Sequence, residues 1–369
     1  MDIVRFSPDG EVLLLCKSTG MVMTLPYCYH SLEVMKMKLY TVAILGATGA
    51  VGQEMMKILE ERNFPVGRLV PLASARSAGK TVKFRGEDVT IELACDEAFE
   101  GIDIVLGAAE NDIAEKFAPA IVKAGAVFVD NSSAFRLNPD VPLVVPEINP
   151  EDVKLNKGII SNPNCSTIIT CTAVNALNSI SPIRSMIAST YQAVSGAGVA
   201  GMAELETQIA DLLAGKPAEV KTFAYQIAYN LIPQIGGEQM EGYTSEEMKL
   251  HFEGRKIMHL PELNVSCTCV RVPVMRSHSI SVQLHFDKPV SVEEAREVLS
   301  KAPGVKLVDD LGNKQYPMPL DTSGQDIVYV GRIRPDLTDP NGLCLWCCGD
   351  QVRKGAATNA IQIAELLTK

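Results

Sequence analysis

The sequence has no long basic run. Its 34 Lys and Arg residues are outnumbered by 44 Asp and Glu, for a net charge of −10, and this argues against a nucleic-acid partner. No stretch reaches the roughly 20 apolar residues of a membrane span. Residues 1–38 lack an uninterrupted apolar segment with a small-residue cleavage site, so a secretory signal is not expected there. They carry acidic as well as basic residues, unlike a transit peptide, and read as an appended leader of doubtful function or a small packing extension. A disulfide framework is also missing: the ten cysteines are scattered through a large chain, which points to reduced thiols and a cytoplasmic protein. Cys344-x-x-Cys347-Cys348 and Cys267-x-Cys269 have no second C-x-x-C and no close histidine pair, so no metal site is expected; 343–348 reads as a buried strand.

What is present is ordinary globular composition, 47% hydrophobic and 21% charged over 369 residues, long enough for two domains. Residues 38–45 are an apolar run rich in strand formers. They lead into GATGAVG, Gly46 to Gly52, and then into an amphipathic stretch, 53–59. Strand, glycine turn and helix in that order form a Rossmann phosphate turn: Gly46 for the tight turn, Gly49 for backbone approach to a pyrophosphate, Gly52 for close helix packing. The free N–H groups of the helix start then hold the anion. After the next strand, 68–74, an NAD site would usually carry Asp or Glu for the ribose 2′-hydroxyl; here stand Arg76, Ser77 and Lys80, which suit the 2′-phosphate of NADP. Strands at 103–109 and 126–130 alternate with a helix at 113–123, which argues for a parallel sheet with ligands at its carboxyl edge. Arg136 lies in the polar loop that follows.

Cys165 falls where a short strand and an Asn162-Pro163 turn give way to an apolar helix. A helix start favours the thiolate, and its amides could hold an oxyanion. Such a nucleophile needs an acid/base partner. Of the five histidines, His30 lies in the leader, and His251 and His259 lie on or just after a charged helix, where exposure is expected. His285 is on the polar side of an alternating strand. His278 shares parity with Ile280, Val282, Leu284 and Phe286, which makes it the best candidate for a partially buried acid/base. Thr244-Ser245-Glu246-Glu247 is a capping-box pattern that occupies Glu247 and leaves Glu246 free, three residues from Lys249 on one helical face. Arg271 shares a strand face with Cys267 and Cys269.

Together these pieces resemble aspartate-β-semialdehyde dehydrogenase of the bacterial type. The matching segments are GATGAVGQEM (46–55), ASARSAGK (73–80), DNSSAFR (130–136), DVPLVVPEIN (140–149) and SNPNCST (161–167). They continue with YQAVSGAG (191–198), YTSEEMK (243–249), CVRVPVMRSH (269–278) and DQVRKGAATNAIQIAEL (350–366). The likeness runs from about Lys38 to Lys369; the leader is outside the family pattern. It implies an α/β fold with a Rossmann-type NADP-binding domain, 39–165, completed by a C-terminal helix within 350–369. A catalytic and dimerisation domain with a mostly antiparallel sheet spans 166–349, with the active site between the two. The implied reaction is NADPH-dependent reductive dephosphorylation of L-aspartyl 4-phosphate to L-aspartate 4-semialdehyde through a cysteine thioester, in lysine, threonine and methionine biosynthesis. By the same resemblance Cys165 is the nucleophile, His278 the acid/base and Gln192 the residue that orients substrate. Arg271 would clamp the substrate carboxylate and Glu246 would meet its amino group. Arg136, Asn164 and Lys249 form the phosphate site. Gly46, Thr48, Gly49, Ala50, Val51, Arg76, Ser77, Ser195, Gly196 and Gln351 would contact NADP(H). A homodimer or a dimer of dimers is implied, with inorganic phosphate as co-substrate. The alternatives are a related acyl-phosphate reductase, such as the N-acetyl-glutamyl-phosphate type, and a non-catalytic NADP-binding redox protein.

Overall fold

The computed structural model describes residues 38–368 and the backbone of three four-residue strands, Ile3–Phe6, Val12–Leu15 and Val22–Leu25, paired antiparallel in that order. Apart from these, the leader expected before Lys38 lies outside the described residues. From Leu39 onward the chain is built on two six-stranded sheets.

The first sheet contains β1 (Tyr40–Leu45), β2 (Val66–Ala73), β3 (Glu92–Leu93), β4 (Ile104–Gly107), β5 (Val127–Asp130) and β6 (Ile159–Ser161), in the order β6-β5-β4-β1-β2-β3. Every pairing is parallel. Helices α1 (Ala50–Glu61) and α2 (Asn111–Lys123) cross over between strands and cover the faces, which is why β1 and β4 are apolar on both sides. The chain leaves β1 toward β2 and returns on the other flank for β4, so a switch point opens between the carboxyl ends of β1 and β4. Gly46 sits there with φ +93°, and a Cβ on it would stand 2.6 Å from the Ala108 carbonyl oxygen. Only glycine meets both demands.

The second sheet contains β7 (Ile183–Gln192), β8 (Asn264–Arg271), β9 (His278–Phe286), β10 (Val305–Leu307), β11 (Val328–Pro335) and β12 (Gly342–Gly349), in the order β8-β7-β9-β12-β11-β10. It is mixed: β7–β8 and β10–β11 are parallel, the other pairs antiparallel. One face packs on α3 (Cys165–Val174), α5 (Ser245–Ile257) and α6 (Val292–Lys301) through a core that includes Ile169, Leu250, Ile280, Val282 and Leu299, and α4 (Gly198–Leu213) follows β7 in the chain. The strand expected at 343–348 is β12, and its Cys347 and Cys348 are buried.

The C-terminal segment differs from the single helix expected within 350–369. Arg353–Ala357 forms a π-turn, and the α-helix α7 spans Thr358–Leu366. Ala360, Ile361, Ile363 and Ala364 are fully buried in the core around β1, with Val42 and Ile44. Each isoleucine buried there contributes about 1.5–3 kcal/mol relative to exposure, enough to hold this end of the chain against the first sheet. Arg353 adds ion pairs to Glu54 at 2.8 Å and Glu61 on α1 and to Asp326 at 2.8 Å.

Candidate active site

Helix α3 begins at Cys165, with Asn164 as its N-cap. The Asn164 Oδ1 accepts the N–H groups of Ser166 at 3.0 Å and Thr167 at 3.2 Å. This corrects two expectations. The amides proposed as an oxyanion hole are occupied by the cap, which leaves the amide of Cys165 itself and the Asn164 Nδ2, 3.9 Å from Sγ. The helix start also does not make a thiolate. Burial, then the nearby Glu246 carboxylate, push the Cys165 thiol up to about 11, and Lys249, Arg271 and Arg136 offset this only in part. Desolvation is the largest of these effects, and it raises the thiol.

Around the thiol lie two rings of polar groups. The inner one comes from strand ends. Gln192 closes β7 and Arg271 closes β8, directly opposite each other in the parallel register. The Gln192 Oε1 accepts the Thr190 hydroxyl at 3.0 Å, and its Nε2 donates to Glu246 Oε1 at 3.2 Å. Arg271 Nη1 donates to the Ala193 carbonyl at 2.7 Å. His278 opens β9 on the core face, as the parity predicted, but it is fully buried where partial burial was expected. The Ala193 N–H donates to its Nδ1 at 3.1 Å. Burial and then the Arg271 charge hold its pKa down to about 3, so the ring is neutral. Gly196 covers this group: a Cβ there would stand 2.7 Å from Arg271 Nη1 and 3.4 Å from the His278 ring.

The other ring comes from α5. Its capping box forms as expected, Thr244 with Glu247. Glu246 then faces inward: Oε1 accepts Asn164 Nδ2 at 3.0 Å and Oε2 accepts Lys249 Nζ at 2.8 Å. Burial opposes its charge, but Lys249 and the bonds from Asn164 and Gln192 win and hold it at about 2. Burial likewise works against the Lys249 ammonium, and Glu246 keeps its pKa above the ordinary value. One helical turn further on, Glu253 pairs with Arg136 Nη1 at 3.0 Å. The rest of the Arg136 guanidinium donates to the carbonyls of Asn162 at 3.0 Å and Asn131 at 2.7 Å.

A cavity of ≈ 350 Å³ unites much of this; Cys165, Asn164, Arg136 and Lys249 meet Val51, Ser195, Gly196 and Gln351 on its wall. Gln351 is held there, its Oε1 accepting the Ser277 N–H at 2.9 Å and its Nε2 bonded to Ser195 Oγ. Gln192, Glu246 and His278 stand behind the thiol and do not line this cavity. Arg271 faces a neighbouring one of ≈ 310 Å³. Arg76 and Ser77 lie in the turn after β2 and do not reach the thiol; Arg76 is exposed, Ser77 buried. Of the other histidines, His259 is exposed as expected. His251 is half-buried, with Nδ1 3.0 Å from the Val265 carbonyl oxygen. Sequence reasoning missed Glu253 and Gly355. Glu253 had a signal, seven residues after Glu246 and four after Lys249 on the same helix face. Gly355 had none; it lies in the π-turn, where a Cβ would stand 2.9 Å from the Cys165 Cβ.

The glycine turn suits a dinucleotide. The N-cap of α1 is Gly49, with no side-chain cap and no acidic residue in the first turn, so its amides are open to an anion. Gly49 itself has room above it, whereas a Cβ on Gly52 would stand 2.4 Å from the Gly46 carbonyl oxygen.

Residues 41–156 match the NAD binding domain of semialdehyde dehydrogenase, and residues 174–354 match its dimerisation domain. Aspartate-semialdehyde dehydrogenase of Synechocystis is 52% identical over 328 residues, covering 89% of this chain and 97% of that protein. The Aquifex aeolicus enzyme of the same name is 50% identical, covering 89% and 98%. Among solved structures, aspartate semialdehyde dehydrogenase II of Vibrio cholerae complexed with ASA superposes with a TM-score of 0.87 at 45% identity, covering 89% and 98%. The enzyme of Candida albicans with NADP gives 0.69 at 26% identity, covering 89% and 98%. The chain belongs to the aspartate-semialdehyde dehydrogenase family, oxidoreductases of amino-acid biosynthesis.

Proposed function

We propose that the enzyme converts L-aspartyl 4-phosphate to L-aspartate 4-semialdehyde, reversibly, with Cys165 as the covalent nucleophile and NADP(H) as the cofactor. The observation that carries this reading is the single cavity in which the Cys165 thiol meets two cations, Arg136 and Lys249, and the residues Val51, Ser195, Gly196 and Gln351 that face the cofactor side. The Cys165 sulfur attacks the acyl carbon, the C–O bond to phosphate breaks, and phosphate leaves toward Arg136, Asn164 and Lys249, taking up the proton that the thiol gives up. The Cys165 amide, Asn164 Nδ2 and His278 Nε2–H are the donors available to the oxyanion. A bound nicotinamide cofactor supplies the hydride that reduces the thioester carbonyl. The C–S bond then breaks to release the aldehyde, with His278 as the partner for proton exchange. Gln192 orients the substrate, Arg271 clamps its carboxylate as a bidentate fork, and Glu246 meets its amino group. Thioester formation makes the chemistry tractable, because a thioester accepts hydride far better than a carboxylate.

NADP is favoured over NAD by the turn after β2. Arg76 and Lys80 are exposed there beside Ser77, and no ion pair engages either cation among the described residues. Gly46, Thr48, Gly49 and Ala50 would hold the pyrophosphate. A homodimer, or a dimer of dimers, is supported by the match of 174–354 to a dimerisation domain. The free buried thiols of Cys171 and Cys347 fit a cytoplasmic setting. Residues 39–165 with the C-terminal helix would be the cofactor domain, and 166–349 the catalytic and dimerisation domain.

The test is a spectrophotometric assay with aspartate semialdehyde, phosphate and NADP⁺. Phosphate-dependent NADPH formation is expected, and Cys165→Ala should lower kcat by at least about a thousandfold while NADPH still binds. Near-normal turnover of that variant would refute the assignment.

A further inference from the structure

We propose that Glu253 is a positioning residue that ties the phosphate-binding guanidinium to the start of the nucleophile's helix. The idea rests on the placement of phosphate at Arg136 and Lys249. Glu253 is 2% exposed, and both carboxylate oxygens are committed. Oε1 accepts Arg136 Nη1 at 3.0 Å, and Oε2 accepts the Asn164 backbone N–H at 2.7 Å. Arg136 arrives from the loop after β5 and Asn164 from the turn after β6, so one side chain on α5 fixes two loops of the first sheet at once. What hangs on each loop is different. Arg136 lines the thiol cavity. Asn164 caps α3, bonds Glu246 and reaches the Cys165 sulfur.

Charge makes Glu253 more than a brace. With its carboxylate present, Arg136 enters the cavity as half of an ion pair. Without it, the guanidinium near the thiol is uncompensated, and an uncompensated cation favours the thiolate. A neutral amide in the same shape cannot reproduce the geometry either. Its oxygen can accept one of the two donors, and its NH₂ would face the other.

The experiment compares Glu253→Gln, Glu253→Asp and Arg136→Ala with the wild-type enzyme. It reads KM for phosphate and NADP⁺, kcat, thermal unfolding, and the pH profile of Cys165 alkylation by iodoacetamide. For Glu253→Gln, one buried donor is left unpaired, so KM for phosphate should rise roughly tenfold or more while KM for NADP⁺ stays within about twofold. Its alkylation profile should shift toward lower pH by about half a unit or more, and Glu253→Asp, which keeps the charge, should return it toward wild type. Unchanged phosphate KM and alkylation profile would overturn the proposal, as would a fall in kcat alone or an equal profile shift in both variants. If Glu253→Gln does not fold, Glu253→Asp carries the decision: a phosphate KM raised about threefold or more, from its shorter reach, supports the link and a wild-type value overturns it. Arg136→Ala separates this from the underlying reading. If it leaves phosphate KM unchanged, the phosphate placement itself fails; if it raises that KM and Glu253→Gln does not, only the role of Glu253 fails.

Discussion

The backbone N–H of Ala193 donates to Nδ1 of His278 at 3.1 Å. That bond decides the tautomer: a ring nitrogen that accepts carries no hydrogen, so in the neutral ring Nε2 does. Nε2 stands 3.4 Å from the Gln192 amide nitrogen, itself a donor to Glu246. Nε2 is therefore the ring's donor, and while the Ala193 bond holds, His278 donates rather than accepts. A side chain read from sequence as a general acid/base thus starts as a hydrogen-bond donor.

This predicts an imidazole that is silent in the physiological range. With a pKa near 3 against an ordinary value of 6.5, the His278 ring resonances should not move between pH 8 and 5 in an NMR titration. The unfolded chain binds one more proton than the native one between about pH 3 and 6.5. Stability from this group is therefore complete above 6.5 and lost as pH falls toward 3, at about 1.4 kcal/mol per unit. A His278 resonance that titrates near 6.5 would contradict the burial and the bond.

Glu246 raises the Cys165 thiol, second only to burial. Glu246→Gln should therefore move the midpoint of Cys165 alkylation below that of the wild-type enzyme, even as kcat falls through loss of the proposed partner of the substrate amino group. A higher midpoint in that variant would show that positioning by Glu246, not its charge, governs the thiol.

At Gly355 the π-turn runs beside Cys165, the proposed nucleophile, and a methyl group there would stand 2.9 Å from the Cys165 Cβ. Gly355→Ala should lower kcat by roughly 10- to 100-fold, since small displacements of a reacting atom are costly. The overpacking should also destabilise the fold by about 1–3 kcal/mol, read from chemical denaturation. Wild-type kcat would mean that the turn yields freely.

The cofactor preference tests the turn after β2. Arg76→Ala should raise KM for NADP⁺ about tenfold or more, the worth of a charge-assisted bond to phosphate, and leave KM for NAD⁺ little changed. Equal effects on both cofactors would remove Arg76 from the 2′-phosphate.

The features legible in the sequence are those whose causes are local. The glycine turn, the capping box at Thr244 and Glu247, the cysteine at the first position of α3 and the core-facing parity of His278 depend on contacts within a few residues, so spacing alone reveals them. The resemblance supplied roles but no electrostatics. The state of the thiol, the tautomer of His278, the Arg136–Glu253–Asn164 link and the contact of Gly355 with Cys165 join residues far apart in sequence: 85 positions separate Ala193 from His278 and 117 separate Arg136 from Glu253. They arise where two sheets and the C-terminal turn meet around one cysteine. Burial there sets which charges survive and which hydrogen bonds are spent, and only the tertiary structure decides that.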